Sequence, residues 1–380
     1  MKWETVSLGD VLHSIIGGGT PSKSKSEYWN GDIFWCSVKD MEDDKHYLSY
    51  TKDTITKKGL ENSSANLIKA GTVITSTRMG LGRAFINKVD MAINQDLKAL
   101  IPNERIDNRF LLWTILSKRN ELNMLGRGST VKGITLDILK SIEISLPPLI
   151  VQRRIADILS AYDDLIDNNQ KQIKLLEEAA MRLYTEWFVN LRFPGHENTK
   201  IVDGVPEGWR LGRVSELAEF KRGKTITKKN AKDGNVPVVA GGLEPAYFHN
   251  VANTVAPVIT ISASGANAGY TRLYNTDIWA SDCSYIDASY GDKLYFIYTF
   301  LKNNKEVIDN LQRGAAQPHV YAKDINALST YIPESTIMEP FCNLVAPLFK
   351  KIAVQERLIS ELKQARDKLL PKLMSGEIEV

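Results

Sequence analysis

The stretch IADILSAYDDLIDNNQKQIKLLEEAAMRL, residues 155–183, decides the fold. Within it Ile155, Leu159, Tyr162, Ile166, Asn169, Ile173, Leu176, Ala180 and Leu183 recur at alternating steps of four and three, the seam of a heptad helix. Moving each position by 186 gives Phe341, Val345, Leu348, Ile352, Gln355, Ile359, Leu362, Arg366 and Leu369, mostly apolar at the same steps. Four heptads span roughly 42 Å of helix at about 1.5 Å per residue, more than a compact domain easily encloses. Two such helices predict a pair packed along its seam. Asn169 and Gln355 each lie midway along their seams, so an antiparallel pair centred there would bring the two amides face to face. A lone polar residue in an apolar seam costs stability and fixes register.

An offset near 186 relates much of the later part of each half, and internal repetition sets the architecture. Phe110-Leu111-Leu112-Trp113-Thr114-Ile115-Leu116 answers to Tyr295-Phe296-Ile297-Tyr298-Thr299-Phe300-Leu301, and Arg127-Gly128-Ser129 answers to Arg313-Gly314-Ala315. Both read as a buried helix followed by a basic glycine turn. The openings also agree, Trp3 through Leu8-Gly9-Asp10-Val11-Leu12 against Trp209 through Val214-Ser215-Glu216-Leu217, while the segments between differ in length and composition. Two copies of one module have kept a frame and changed what it displays. The first module enters its helix at Pro147-Pro148 and the second near Pro333, so antiparallel helices would suspend the modules from opposite ends of a strut. The expected class is α+β, divided into a first module (1–150), a helix (151–190), a linker (191–208), a second module (209–335) and a second helix (336–376).

Composition narrows the function. At 380 residues the chain exceeds a single core, and 43% apolar with 24% charged residues is the make-up of a folded protein. Cys36, Cys283 and Cys342 stand far apart, so neither a disulfide framework nor a thiolate metal site is expected. The start lacks the apolar core of a signal peptide and no apolar run reaches the roughly 20 residues of a membrane span, which points to the cytoplasm. With 48 basic and 45 acidic side chains the total is nearly neutral, yet Lys221-Arg222-Gly223-Lys224 with Lys228, Lys229 and Lys232, and Arg78 with Arg83, form local basic clusters.

Catalytic motifs are not found. Gly223-Lys224-Thr225 ends like a phosphate-binding loop, but Ala218 stands where the first glycine belongs. Gly80-Leu81-Gly82 opens like a dinucleotide fingerprint, but Phe85 replaces the third glycine. The five histidines share no ligand spacing. No Asn or Asp precedes two prolines and an aromatic, the grip of amino-methylating enzymes on a flipped base. Asp96 with Lys98 is a fragment of a nuclease triad lacking its upstream acid. Binding is expected rather than catalysis.

Ile144-Ser145-Leu146-Pro147-Pro148-Leu149-Ile150-Val151-Gln152, leading into Ile155-Ala156-Asp157-Ile158-Leu159, resembles the start of the spacer helix in specificity subunits of type I restriction-modification systems. Gly18-Gly19-Thr20-Pro21-Ser22, Trp187-Phe188, Pro206-Glu207-Gly208-Trp209 and Leu370-Pro371-Lys372-Leu373-Met374-Ser375-Gly376-Glu377 are similar to that family as well. Val151 departs from its usual glutamate, and Ile332-Pro333-Glu334-Ser335 keeps only a degraded form of the proline motif. The resemblance implies two target recognition domains, each reading one half of an asymmetric, interrupted DNA sequence, with an antiparallel coiled coil setting the gap. It implies double-stranded DNA, two methylation subunits and restriction subunits as partners. S-adenosylmethionine, ATP and magnesium would belong to those partners, none to this chain, which would be no enzyme itself.

Glycine lets a backbone approach DNA closely, and Arg and Lys meet phosphates or guanine edges. The candidate DNA-binding residues are therefore Thr20, Ser22, Lys23, Arg78, Arg83, Arg127 and Lys132 in the first module. In the second they are Lys221, Arg222, Lys224, Lys228, Ser264, Asn267, Arg313, Gln317 and His319. Trp35, Trp113 and Trp279 are assigned to packing. Two other classes remain open: a coiled-coil scaffold spacing two protein-binding domains, and a self-sufficient modification enzyme that would bind S-adenosylmethionine alone.

Overall fold

A computed structural model of the chain describes residues 3–128, 131–314 and 318–380. It is mixed helix and sheet and divides into two compact units, residues 1–168 with 359–380, and residues 169–358. The division falls inside the two long helices, Leu149–Tyr184 and Ser335–Ser375, so each unit holds one module and a segment of both helices.

The first unit is built on a five-stranded sheet, in the order Leu12–Gly17, Leu97–Pro102, Val73–Ser76, Ala84–Asn87 and Tyr47–Leu48. Asp107 starts the helix Asn108–Ser117 by accepting from the amides of Arg109 (3.0 Å) and Phe110 (3.2 Å). An aspartate there satisfies two of the N–H groups every helix start leaves open. That helix buries Phe110, Leu111, Leu112 and Trp113 in one core with Val73 and Leu100 of the sheet. Each such side chain contributes about 1.5–3 kcal/mol. A second sheet is formed by Asp53–Ile55, Trp29–Cys36, Met91–Ile93 and Leu67–Ile68, with Trp29–Cys36 parallel to Met91–Ile93.

The same core continues into the helix segments: Ile155, Ala156 and Leu159 are fully buried with Leu373, flanked by Leu369 and Leu370. Gln152, also fully buried, bonds the module to its helix. Its Oε1 accepts from the Asp107 amide (2.8 Å), and its Nε2 donates to the carbonyls of Arg105 (2.9 Å) and Pro147 (2.8 Å). This accounts for the glutamine of the proline motif. Asp163 of one helix and Arg366 of the other, both buried, meet at 2.7 Å, and His46 Nδ1 of the module lies 2.7 Å from the other Asp163 oxygen.

The second unit repeats the frame. Lys221–Arg222, Cys283–Ile286, Val258–Ser262 and Thr271–Tyr274 form its four-stranded sheet, covered by the helix Lys293–Asn303. Here Ala180 and Tyr184 share a core with Phe341, Val345, Phe349 and Ile352. Phe188 packs on Trp209 (5.8 Å between ring centres) and Phe341 (4.9 Å), which explains the Trp-Phe and Pro-Glu-Gly-Trp signatures. In both units the early part of one helix meets the late part of the other, so the paired segments run antiparallel.

The seam is buried or half-buried as the periodicity requires, with Asn169 and Gln355 buried, but the register differs from expectation. Gln355 Nε2 donates to Gln172, one turn beyond Asn169. Trp187 against Phe341 (5.7 Å) belongs to the same register, which the seam midpoints misplace by about a turn. Among the described residues no helix is long and apolar enough to cross a membrane.

Candidate nucleic-acid interface

In the first module the loop after Val73–Ser76 and the turn before Ile134 are stitched together by their backbones. Thr77 N donates to Asp96 O (2.9 Å), Ile134 N to Thr77 O (3.0 Å) and Met79 N to Lys132 O (3.3 Å), while Arg127 and Gly133 exchange two bonds of 2.9 Å. The second module repeats every one of these 186 residues later. Ala263 N donates to Asp282 O (3.2 Å), Val320 N to Ala263 O (3.0 Å) and Gly265 N to Pro318 O (3.0 Å), while Arg313 and His319 exchange two bonds of 2.9 Å. The same isolated bridges follow, Arg78 and Arg127 to Gly133, and Ser264 and Arg313 to His319. One backbone cradle therefore exists twice with different side chains upon it.

A carboxylate sits beneath each cradle, buried in the first (Asp96) and half-buried in the second (Asp282). Asp96 lies 3.6 Å from Arg78, and Thr20 donates to the neighbouring Gln95 (2.6 Å), so the glycine loop joins the site. Gly18 fits there because a Cβ would stand 2.0 Å from the Ile93 carbonyl. Asp282 bridges Arg222 (2.6 Å) and the Ser264 hydroxyl, and Gly223 is held as closely, with a Cβ position 2.3 Å from the Ser281 carbonyl. Arg313 is oriented by Asp324 at 2.8 Å.

Of the residues expected at the site, Thr20, Arg78, Arg127 and Lys132 gather in the first unit, and Arg222, Lys224, Ser264, Arg313 and His319 in the second. Lys224 enters through its backbone, which donates to Ala280 O (2.9 Å). Lys221, beside Arg222, is exposed, and Asn267 reaches the Gly241 carbonyl at 3.5 Å. Ser22 bonds Ser24 (2.9 Å), and Lys23 and Lys228 are exposed on the adjoining loops, outside the bonded cradles. Arg83 turns away, because Asp43 takes its guanidinium at 2.5 Å together with that of Arg119 (2.9 Å). Although burial works against it, those two arginines hold the Asp43 carboxyl below the usual range. Gln317 lies outside the described residues. Trp35 and Trp113 are buried and Trp279 is half-buried. Sequence reasoning passed over Asp96 and Asp282 as orienting groups; their separation by the repeat offset was the available signal.

Exposed guanidinium and ammonium groups around glycine-lined turns, oriented by buried and half-buried acids, suit an anionic backbone and the edges of bases. Among the described residues no three His, Cys, Asp or Glu side chains could hold a metal ion. The build is that of a paired-module binding protein, one recognition cradle used twice with unlike side chains. The chain belongs to the type I restriction modification DNA specificity domain family, whose model matches residues 1–178 and 206–364. It is similar to the type I restriction enzyme MjaIX specificity subunit of Methanocaldococcus jannaschii, 30% identical over the whole of this chain and 94% of that protein. The EcoR124I/EcoR124II specificity subunit of Escherichia coli is 33% identical over 51% of this chain and 48% of its own. In fold it is similar to the crystal structure of a type I restriction-modification S subunit from M. genitalium, with a TM-score of 0.63 at 17% identity, covering 98% of this chain and 96% of the other.

Proposed function

We propose that this chain is the DNA sequence-recognition subunit of a type I restriction-modification complex, acting in the cytoplasm and itself non-catalytic. Each module reads one half of an asymmetric, interrupted duplex target, and the helices, paired as a coiled coil, set the gap and dock two methylation subunits. Restriction subunits complete the assembly, and S-adenosylmethionine, ATP and magnesium act on those partners. The observation that carries this reading is the duplicated cradle. Where the first copy displays Arg78, Lys132 and Gly133, the second displays Ser264, Pro318 and His319 on the same backbone bonds. Like frames with unlike side chains suit unlike half-sites, whereas a symmetric reader would demand a palindrome.

The test is a salt titration of duplex binding by the chain with its methylation subunits, paired with methylation-site sequencing. Six neutralised phosphates predict a fall of log K against log salt with a slope of about −5. The methylated motif should be bipartite and asymmetric. A protein-binding scaffold would give a salt-independent baseline and no motif, and S-adenosylmethionine binding by the isolated chain would support the enzyme instead.

A further inference from the structure

Met79 stands at the tip of the first cradle in the left-handed backbone region, φ 57°. Bulky side chains rarely adopt it, because Cβ crowds the following carbonyl. Asn30 (φ 60°) and Asp203 (φ 52°) share the region, but their short polar side chains tolerate it. Leu191 (φ 57°) is apolar yet packs against the core of its unit. Met79 is 55% exposed. Its counterpart 186 residues on is Gly265, φ 80°, which makes the equivalent backbone bond and around which a Cβ would meet nothing within 4 Å. The turn is thus built for glycine, and in the equivalent cradle a side chain there would project into open space. The first module nevertheless carries a long apolar side chain at that point, beside exposed Arg78, Lys132 and Arg127.

An apolar side chain among cations suited to phosphates and base edges is placed to touch the bases themselves. We propose that Met79 is a base-contacting residue, packing its thioether chain on the apolar face of a base in the half-site read by the first module. This rests on the DNA reading above and adds a residue that makes the two half-sites unlike. The apolar surface is either a thymine methyl or the ring face of a base at an opened step.

The experiment uses the full chain with its methylation subunits and compares Met79→Gly and Met79→Leu with the unaltered protein. Cognate duplexes with single base-pair changes in either half serve as probes. Met79→Gly should melt at or above the unaltered temperature, since glycine suits the backbone. It should bind the cognate duplex roughly tenfold more weakly, with discrimination lost at one or two base pairs of one half only. Met79→Leu should restore most of both. Uracil in place of thymine mimics the loss if a methyl is touched; 2-aminopurine fluorescence rises on binding, and only with Met79 or Leu, if a step is opened. Equal affinity and equal discrimination by Met79→Gly overturn the inference while leaving the DNA reading intact. An unaltered complex without sequence preference overturns both.

Discussion

Replacing Arg366 by alanine removes the guanidinium that donates to the buried Asp163 Oδ1 at 2.7 Å. The guanidinium also holds Asp367 at 2.9 Å and lies 3.7 Å from Asp44, so the aspartate that suffers is Asp163, left buried beside His46. Breaking one partner of a buried pair costs about 3–5 kcal/mol, because the remaining charge is uncompensated. With His46 retaining one contact, the lower end, about 3 kcal/mol, applies. For a folding unit of 150–250 residues this lowers the melting temperature by roughly 6–12 °C. The assay is calorimetry of the full chain, in which the transition of the first unit should move and that of the second should not. A refinement separates charge from packing. The positions 186 residues away from Asp163 and Arg366 are Phe349 and Ala180, both buried, with Phe349 stacked on Tyr295 at 4.8 Å. The second unit thus solves the same position without charge, and Asp163→Leu with Arg366→Met should recover most of the loss. A single mutant within 1 kcal/mol of the unaltered chain, or a double mutant worse than the single, refutes the reasoning.

Other perturbations separate orientation from contact. Asp282→Asn releases Arg222 and Ser264, so affinity for random duplex should rise a few-fold while discrimination in one half-site falls; filter binding against scrambled competitors measures both. Arg127→Ala should weaken binding to all sequences alike and reduce the salt slope by about one, whereas Arg83→Ala, already committed to Asp43, should leave the slope unchanged and lower the melting temperature of the first unit. Burial pushes the Cys283 thiol up to about 12 and Cys342 to about 11, and raises Cys36 further. All three should therefore stay protonated and silent to a thiol reagent at pH 8 until the chain unfolds; rapid labelling of the native protein would contradict this.

Much of the architecture was legible because it is periodic. A heptad seam survives translation into a helix, and an offset of 186 survives into duplicated strands, turns and cradles. The register of the helices was not, since it depends on which residues fill the space between them: Gln355 finds Gln172, and Arg366, an exception in an apolar seam, is explained only by Asp163 on the other helix. The cradle was partly legible. Arg78, Arg127, Arg313 and His319 stand out as basic or polar residues near glycine, but whether an arginine reaches outward or folds back, as Arg83 does onto Asp43, depends on contacts distant in sequence. Met79 was passed over for a different reason: residue type reports hydrophobicity, whereas its distinction is a backbone angle.

The central claim is that each cradle reads its own half of one interrupted sequence. Once methylation-site sequencing has given the target of the unaltered complex, the same measurement on the Arg78→Ala variant tests it most directly. The account predicts a motif relaxed in one half, with the other half and the gap unchanged. Relaxation of both halves together, or a motif unchanged throughout, would contradict it.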